Sequence, residues 1–426
     1  MDATRSRALP MSRLLEHRAL AALHNRNFRL LWLGTLISMA GSMMRQTALL
    51  WQVSLLVPAD QKALALGGVG LARFVPVIVC SLFAGLAADA FDRRRVMLVT
   101  NGALCLLSAT LAVLTLSGRA TLGSVYVLAA LTAAFGTFDN PARNALFPSL
   151  VPREALSNAI SLNSILFQTA SVTGPLLGGL LIATHGVGIV YACDAASFVV
   201  LLGSLWAIRE APTAGGTTRA KLELRSILDG FRFVFGRPLI RSSMLLDFFA
   251  TFFASSTTLL PIFAQDVLRV GAHGYGLLSS ATAVGAVLTS LAMAALIERI
   301  EQRGRVLVVA VVVYGVVTAA FGVSPWLWLS FLCLMLAGAA DTVSTVLRNV
   351  LRQLETPDDL RGRMTSVNMM FFMGGPQLGE VEAGLVAQSF GPAAAVVSGG
   401  IGCVVAALWI AERTPALRSY RRPGVA

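Results

Sequence analysis

Charge is what this sequence has least of. Only 13% of its 426 residues are charged, 56% are hydrophobic, and mean hydropathy is +0.72. Soluble domains carry roughly a quarter charged residues, so one or two soluble domains are excluded. Cysteine is sparse too: Cys80, Cys105, Cys193, Cys333 and Cys403 all lie in apolar stretches, with no CxxC and no close pair. That excludes both a disulfide framework and a zinc site. The four histidines, His17, His24, His185 and His273, lie at or outside the membrane surface in this reading and show no metal-ligand spacing. No G-x-x-x-x-G-K-[ST], G-x-S-x-G or H-E-x-x-H occurs, so ATP hydrolysis and hydrolase chemistry have no foothold. The expectation is a protein that is not an enzyme and holds no cofactor or metal.

What is present is apolar length. A bilayer core of roughly 30 Å needs about 20 apolar residues per helix. Twelve such stretches are predicted, at 29–56, 66–89, 95–117, 122–147, 157–184, 187–208, 239–265, 274–298, 305–323, 326–348, 364–389 and 392–411. The first is too long for a signal peptide and lacks a small-residue cleavage site after it, so it is expected to stay in the mature protein. The 34 basic against 22 acidic residues give a net charge of +12 and a pI near 10.5. Sorted by loop, 28 of the 34 fall on the side that holds both termini. Lys62, Arg119 and Arg269 fall on the other, and Arg45, Arg73 and Arg143 within spans. Basic residues are retained in the cytoplasm, so a multi-pass protein of the cytoplasmic membrane with cytoplasmic termini is expected. The basicity is then topology and calls for no nucleic acid.

One long loop divides the spans six and six. Domain boundaries are set at 1–208 for an N-terminal bundle, 209–238 for a cytoplasmic linker and 239–426 for a C-terminal bundle. Ala211 to Thr218 has the composition of a flexible linker. Leu222 to Phe235 has the helical apolar period of a segment lying on the membrane surface. The halves also align with each other. At an offset of 205, Arg143-Asn144 meets Arg348-Asn349, Pro152 meets Pro357, Asn163 meets Asn368, and Gly179-Leu180 meets Gly384-Leu385. At 210, Ala84, Arg93 and Arg95 meet Ala294, Arg303 and Arg305. A duplicated six-span unit accounts for this register, and such symmetry is a mark of transporter folds.

Loop 2–3 reads Gly85-Leu86-Ala87-Ala88-Asp89-Ala90-Phe91-Asp92-Arg93-Arg94-Arg95. It resembles the G-x-x-x-D-(R/K)-x-G-(R/K)-(R/K) signature of the major facilitator superfamily, departing from it at Ala90 and Asp92. Gly174-Pro175-Leu176-Leu177-Gly178-Gly179 in span 5 resembles the G-P-x-x-G-G antiporter element of proton-driven exporters, with Gly374 to Gly379 as its counterpart in span 11. Small residues let helices approach closely, and proline frees one backbone bond so that the helix can bend. The runs from Asn25 to Gly34, Phe138 to Arg143 and Asn158 to Ser164 are similar to the branch of enterobactin exporters and macrolide-efflux carriers. The arginine that many superfamily drug exporters carry in span 4 is absent, its place being taken by Thr132. The resemblance implies an all-α membrane protein of two pseudo-symmetric six-helix bundles around a cavity lined by spans 1, 4, 7 and 10. It also implies rocker-switch transport of a small molecule.

Ionisable groups within spans cost at least about 2.5 kcal/mol near the centre, which makes each a candidate site. Arg45 and Gln46 stand about 16 residues into span 1 and are expected to contact substrate, with Asp247 of span 7 able to pair with Arg45 or take a proton. Glu380 and Glu382 of span 11 are further proton-coupling candidates, the alternative being an ion pair with Arg73 of span 2. Two residues apart on a helix, they cannot share a face. Asp194 of span 6 is placed in the outer interface. For gating, Asp89 with Arg93 and Arg94 is expected to latch loop 2–3, unless the arginines only set topology. Asp139 with Arg143 and Asp341 with Arg348 form paired bridges in spans 4 and 10, and Gly174, Pro175, Gly178 and Gly179 supply the packing element. Proton-coupled efflux of a small amphipathic compound, drug-like or siderophore-like, is the leading expectation, by a monomer whose other partners are membrane lipids. Uptake by proton symport and a non-transporting membrane sensor are the alternatives.

Overall fold

The computed structural model describes residues 21–208, 231–254, 256–357 and 360–422. Among these residues there are twelve long helices and no strand. The first six are α1 (Arg26–Leu56), α2 (Lys62–Ala90), α3 (Arg93–Leu116), α4 (Leu122–Ser149), α5 (Leu156–His185) and α6 (Val187–Ala207). The others are α7 (Pro238–Phe253), α8 (Gly271–Leu296), α9 (Arg303–Gly322), α10 (Leu327–Glu355), α11 (Arg361–Phe390) and α12 (Pro392–Arg413). Each falls on one of the twelve expected spans, with α7 ending earlier and α10 later than expected. Residues 209–230, which hold the expected flexible linker and most of the amphipathic segment, lie outside the described residues; 231–236 is helical.

Local chemistry fixes several helix ends. The Asn25 side chain accepts from the backbone N–H groups of Asn27 and Phe28 and so starts α1. Thr121 and Ser124 form a reciprocal capping box at α4, which satisfies donors that the first turn leaves open. The repeat is visible in the turns: α5 ends on Gly186 at φ 83° and α11 on Gly391 at φ 88°, positions 205 residues apart in the sequence. Only glycine takes that left-handed conformation without strain.

Among the described residues, ten helical stretches are long and apolar enough to cross a membrane. The two that fall short are α1 and α11, the helices that carry Arg45 and Gln46 and, in the other half, Glu380 and Glu382. Large apolar side chains such as Val99, Leu106 and Val113 on α3 are exposed on the outside of the bundle, where lipid would cover them. Trp206 near one face and Trp326 and Trp328 near the other are also exposed, in the manner of interfacial aromatic belts.

Twelve crossings bring the start of α1 and the end of α12 to the same side, the terminal face. The opposite side is the far face. Near the far face the apolar core is one cluster drawn from both halves, joining Ala48, Leu66 and Val125 to Phe263, Tyr275 and Ala387. Toward the terminal face it splits. Phe28, Met97, Leu146 and Leu205 belong to a cluster of the first six helices alone, and Leu246, Leu307, Leu351 and Cys403 to one of the last six. The apolar clusters are therefore joined across the halves at the far side and separate at the terminal side, where Gln168 Nε2 of α5 still donates to Ser290 Oγ of α8 at 3.3 Å.

The C-terminal half departs from the expected regularity in α7. Where α1 runs 31 residues without a break, α7 stops at Phe253. The span then continues through a 3-10 turn (Ser256–Leu259), a single α-turn (Leu260–Ile262) and a π-turn (Phe263–Val267).

Candidate functional site

Two contacts between glycines hold the far side closed. A Cβ placed on Gly179 of α5 would lie 2.5 Å from the Cα of Gly276 on α8, and one on Gly384 of α11 would lie 2.8 Å from the Cα of Gly67 on α2. Around them Gln265 Nε2 donates to Ser54 Oγ at 2.7 Å, Tyr275 Oη donates to the Thr47 carbonyl at 3.0 Å, and Tyr275 stacks on Trp51. Lys62 pairs with Asp266 at 3.0 Å. Every one of these contacts joins one half to the other. Gly174 and Gly178 have a different task, seating α5 on the backbone of α1 around Met44 within the N-terminal half. Pro175 is buried inside an unbroken α5.

Beneath this seal lie the polar residues of α1, α2 and α11. Arg45 does not meet Asp247, contrary to the expectation. Its Nε donates to Asp194 Oδ2 of α6 at 2.8 Å, and Ser108 Oγ of α3 donates to the same oxygen at 2.6 Å. Asp194, expected in the outer interface, is fully buried. It lies seven residues inside α6, where a carboxylate needs both partners. Gln46, next to Arg45, is exposed. Arg73 of α2 is half-buried and acts electrostatically on Glu380 of α11 across the interface between halves. Among the described residues Gln377 Oε1 is a buried oxygen without a hydrogen-bond donor; Glu380, one turn along α11, has the Thr258 hydroxyl beside its carboxylate. Glu382 is half-buried.

Asp247 belongs to a buried network within the C-terminal half. Its Oδ1 lies 2.9 Å from Arg348 Nη2 and its Oδ2 3.6 Å from Arg352 Nη2, all three side chains being almost wholly buried. Asp341 is 3.7 Å from Arg348 and is the open member of the group. The expected span 10 ends at 348 and leaves Arg352 beyond it; α10 instead runs on to Glu355 and carries both arginines into the core. In the N-terminal half the expected Asp139–Arg143 pair is loose at 3.8 Å. Asp139 is held by α3, accepting from Asn101 Nδ2 at 2.6 Å and Thr100 Oγ1 at 3.1 Å.

At loop 2–3 the arginines reach helix carbonyls. Arg93 Nη1 donates to Ala145 O of α4 at 3.1 Å. Arg94 donates from Nε and Nη2 to Leu205 O and Trp206 O at the end of α6, where a cation complements the helix dipole. Asp92, at the position where the signature has glycine, is the N-cap of α3 and accepts from Arg95 N at 2.9 Å. The Asp89 side chain lies outside the described residues.

Residues 17–420 match the family described as transmembrane secretion effector, a branch of the major facilitator superfamily. The chain belongs to that family. It is a multi-pass membrane transporter of the major facilitator superfamily, and not an enzyme. Among its relatives, the enterobactin exporter EntS of Citrobacter koseri is 28% identical over 397 residues, covering 93% of this chain and 94% of the relative. EntS of Escherichia coli O1:K1 is 26% identical over 396 residues, covering 93% of each. Among solved superfamily structures, a bacterial homologue of the human lysosomal transporter Spinster, inward-facing and unoccupied, has a TM-score of 0.73. It is 15% identical, over 94% of this chain and 99% of that one. A bacterial homologue of the iron transporter ferroportin in an inward-facing state has a TM-score of 0.69 at 16% identity, over 91% of this chain and 98% of that one. At these identities the likeness to solved structures concerns the superfamily fold.

Proposed function

We propose that this transporter exports a small amphipathic compound, siderophore-like or drug-like, across the cytoplasmic membrane in exchange for protons. The observation that carries the reading is the division of the apolar core, one shared cluster at the far side and, at the terminal side, clusters that each stay within one half. With the basic terminal face taken as cytoplasmic, this is the arrangement of a carrier whose cavity faces the cytoplasm. Polar side chains exposed in the terminal half, Asn144 on α4 and Ser161 and Ser164 on α5, suit a water-filled cavity better than lipid. The direction of transport rests on the antiporter element and on the resemblance to enterobactin exporters. Rocking the halves about the glycine contacts exchanges the closed side.

Arg45 and Gln46 are assigned to the substrate, and Glu380 to the proton. A proton on Glu380 gives it a donor to offer the orphan oxygen of Gln377 one turn away, and its release lets Arg73 draw the two halves together. The transporter acts as a monomer among membrane lipids.

The test is accumulation of a panel of probes, an iron-free siderophore, a macrolide and a cationic dye, in everted membrane vesicles. Uptake into the vesicles that disappears when the pH gradient is collapsed is the expected result. Transport that persists without the gradient would overturn proton coupling, and accumulation by intact cells would reverse the direction.

A further inference from the structure

The break in α7 opens a cavity of about 130 Å³ inside the C-terminal half. One side is apolar, with Leu334 and Ala337 of α10. The other presents hydroxyls: Thr251 and Thr257 from either side of the break, Thr282 of α8 and Tyr314 of α9. No lining residue is charged. Interrupted backbone within a membrane is tolerated where it borders a cavity, and broken helices mark binding sites in transporters. The matching helix of the other half, α1, is continuous, so the break is a property of this site and not of the repeat.

The size and lining select an occupant. A cavity of about 150 Å³ holds one benzene molecule, so this one is the size of a single six-membered ring. Thr251 Oγ1 spends its proton on the Asp247 carbonyl at 2.9 Å, and Tyr314 Oη points its own to the Ala254 carbonyl at 3.4 Å. Both oxygens therefore face the cavity as acceptors. The hydroxyls of Thr257 and Thr282 make no hydrogen bond to another side chain among the described residues and can act as donor or acceptor. An ion would meet no charged side chain in the lining, since nearby Asp341 is already paired with Arg348, and a plain hydrocarbon would leave the hydroxyls unsatisfied.

We propose that this cavity is a binding subsite for an uncharged, ring-sized group carrying a hydroxyl, one part of a larger transported molecule. The inference rests on the reading of the chain as a carrier. Any charged part of the same molecule would lie nearer Arg45.

The full-length protein in lipid nanodiscs is titrated calorimetrically with phenol and, separately, with toluene. Phenol should bind saturably. Thr282→Val should weaken phenol several-fold while leaving toluene unchanged, and Ala337→Leu should remove both by filling the space. Thr251→Val, which keeps the side-chain volume, serves if Ala337→Leu does not fold, and should also weaken phenol selectively. Phenol binding that is absent, or that all these variants retain, would overturn the subsite. Vesicle transport measured on the same preparation separates the two readings. Export without phenol binding sinks the subsite alone, and phenol binding without transport of any probe sinks the export reading.

Discussion

Gly179 on α5 and Gly276 on α8 face each other across the two halves with no room for a side chain on either. Their repeat-related partners Gly384 and Gly67 do the same on the opposite flank of the interface. Overpacking such a contact costs about 1–3 kcal/mol. A bias of that size changes a conformational ratio by about 5–150-fold. Gly179→Val and Gly384→Val should each shift the protein away from the state closed at the far side. The readout is labelling of a cysteine introduced at Ser54, in a background without native cysteines, by an impermeant reagent added from the far face. Faster labelling in both variants is expected, and unchanged labelling in both would mean that the glycines do not set the seal.

Asp247 and Arg348 should behave as a structural pair. Removing one member of a buried pair costs about 3–5 kcal/mol because the other charge is left without compensation. Asp247→Asn strands Arg348 and Arg352 in the core, and should lower both the yield of monodisperse protein and its melting temperature. The double variant Asp247→Asn/Arg348→Gln should recover part of both. If Asp247→Asn melts like the parent and loses only transport, Asp247 serves the substrate or the proton, as the sequence suggested.

Much of the fold is legible in the sequence, because ten of the twelve spans declare themselves by apolar length, and α1 and α11 by their place in the repeat. The repeat is legible as well, since Gly179 and Gly384 fall in register and turn out to make equivalent contacts. Partnerships are not. Arg45 finds its carboxylate 149 residues away on α6, and nothing in the spacing points there, although an aspartate inside an apolar span was itself a signal. The end of span 10 is set too early, at 348, because a second arginine, Arg352, reads as a loop residue; the charges of both arginines are neutralised by Asp247, a tertiary effect. The break in α7 did leave a trace. Ser255, Ser256, Thr257 and Thr258 are four consecutive hydroxyl residues, whose side chains compete for backbone hydrogen bonds within a helix.

The pairing of Arg45 with Asp194 allows substrate contact to be separated from packing. Arg45→Ala alone should destabilise the protein, because Asp194 then keeps only the hydroxyls of Ser108 and Ser42 and no countercharge. The double variant Arg45→Gln/Asp194→Asn removes both charges and should restore a normal melting curve. If Arg45 also contacts substrate, this folded double variant will transport far less than the parent in vesicles. Parental transport by it would confine Arg45 to a structural role.

The residues after α12 fold back onto the loop between α8 and α9, and their contributions should rank by burial and not by charge. Arg422 pairs with Glu298 at 2.6 Å, with both side chains substantially exposed. Such surface pairs are worth about 0–1 kcal/mol. Leu417 is fully buried against Gly304, and burial of a leucine side chain contributes about 1.5–3 kcal/mol. The backbone completes the strap, with Gly304 N donating to Tyr420 O and Arg422 N to Glu301 O. Arg422→Ala should therefore leave the melting temperature nearly unchanged, whereas Leu417→Asp should lower it clearly and expose the α8–α9 loop to protease. The opposite order, with Arg422→Ala the more damaging, would mean that the ion pair holds the strap and that salt should release it.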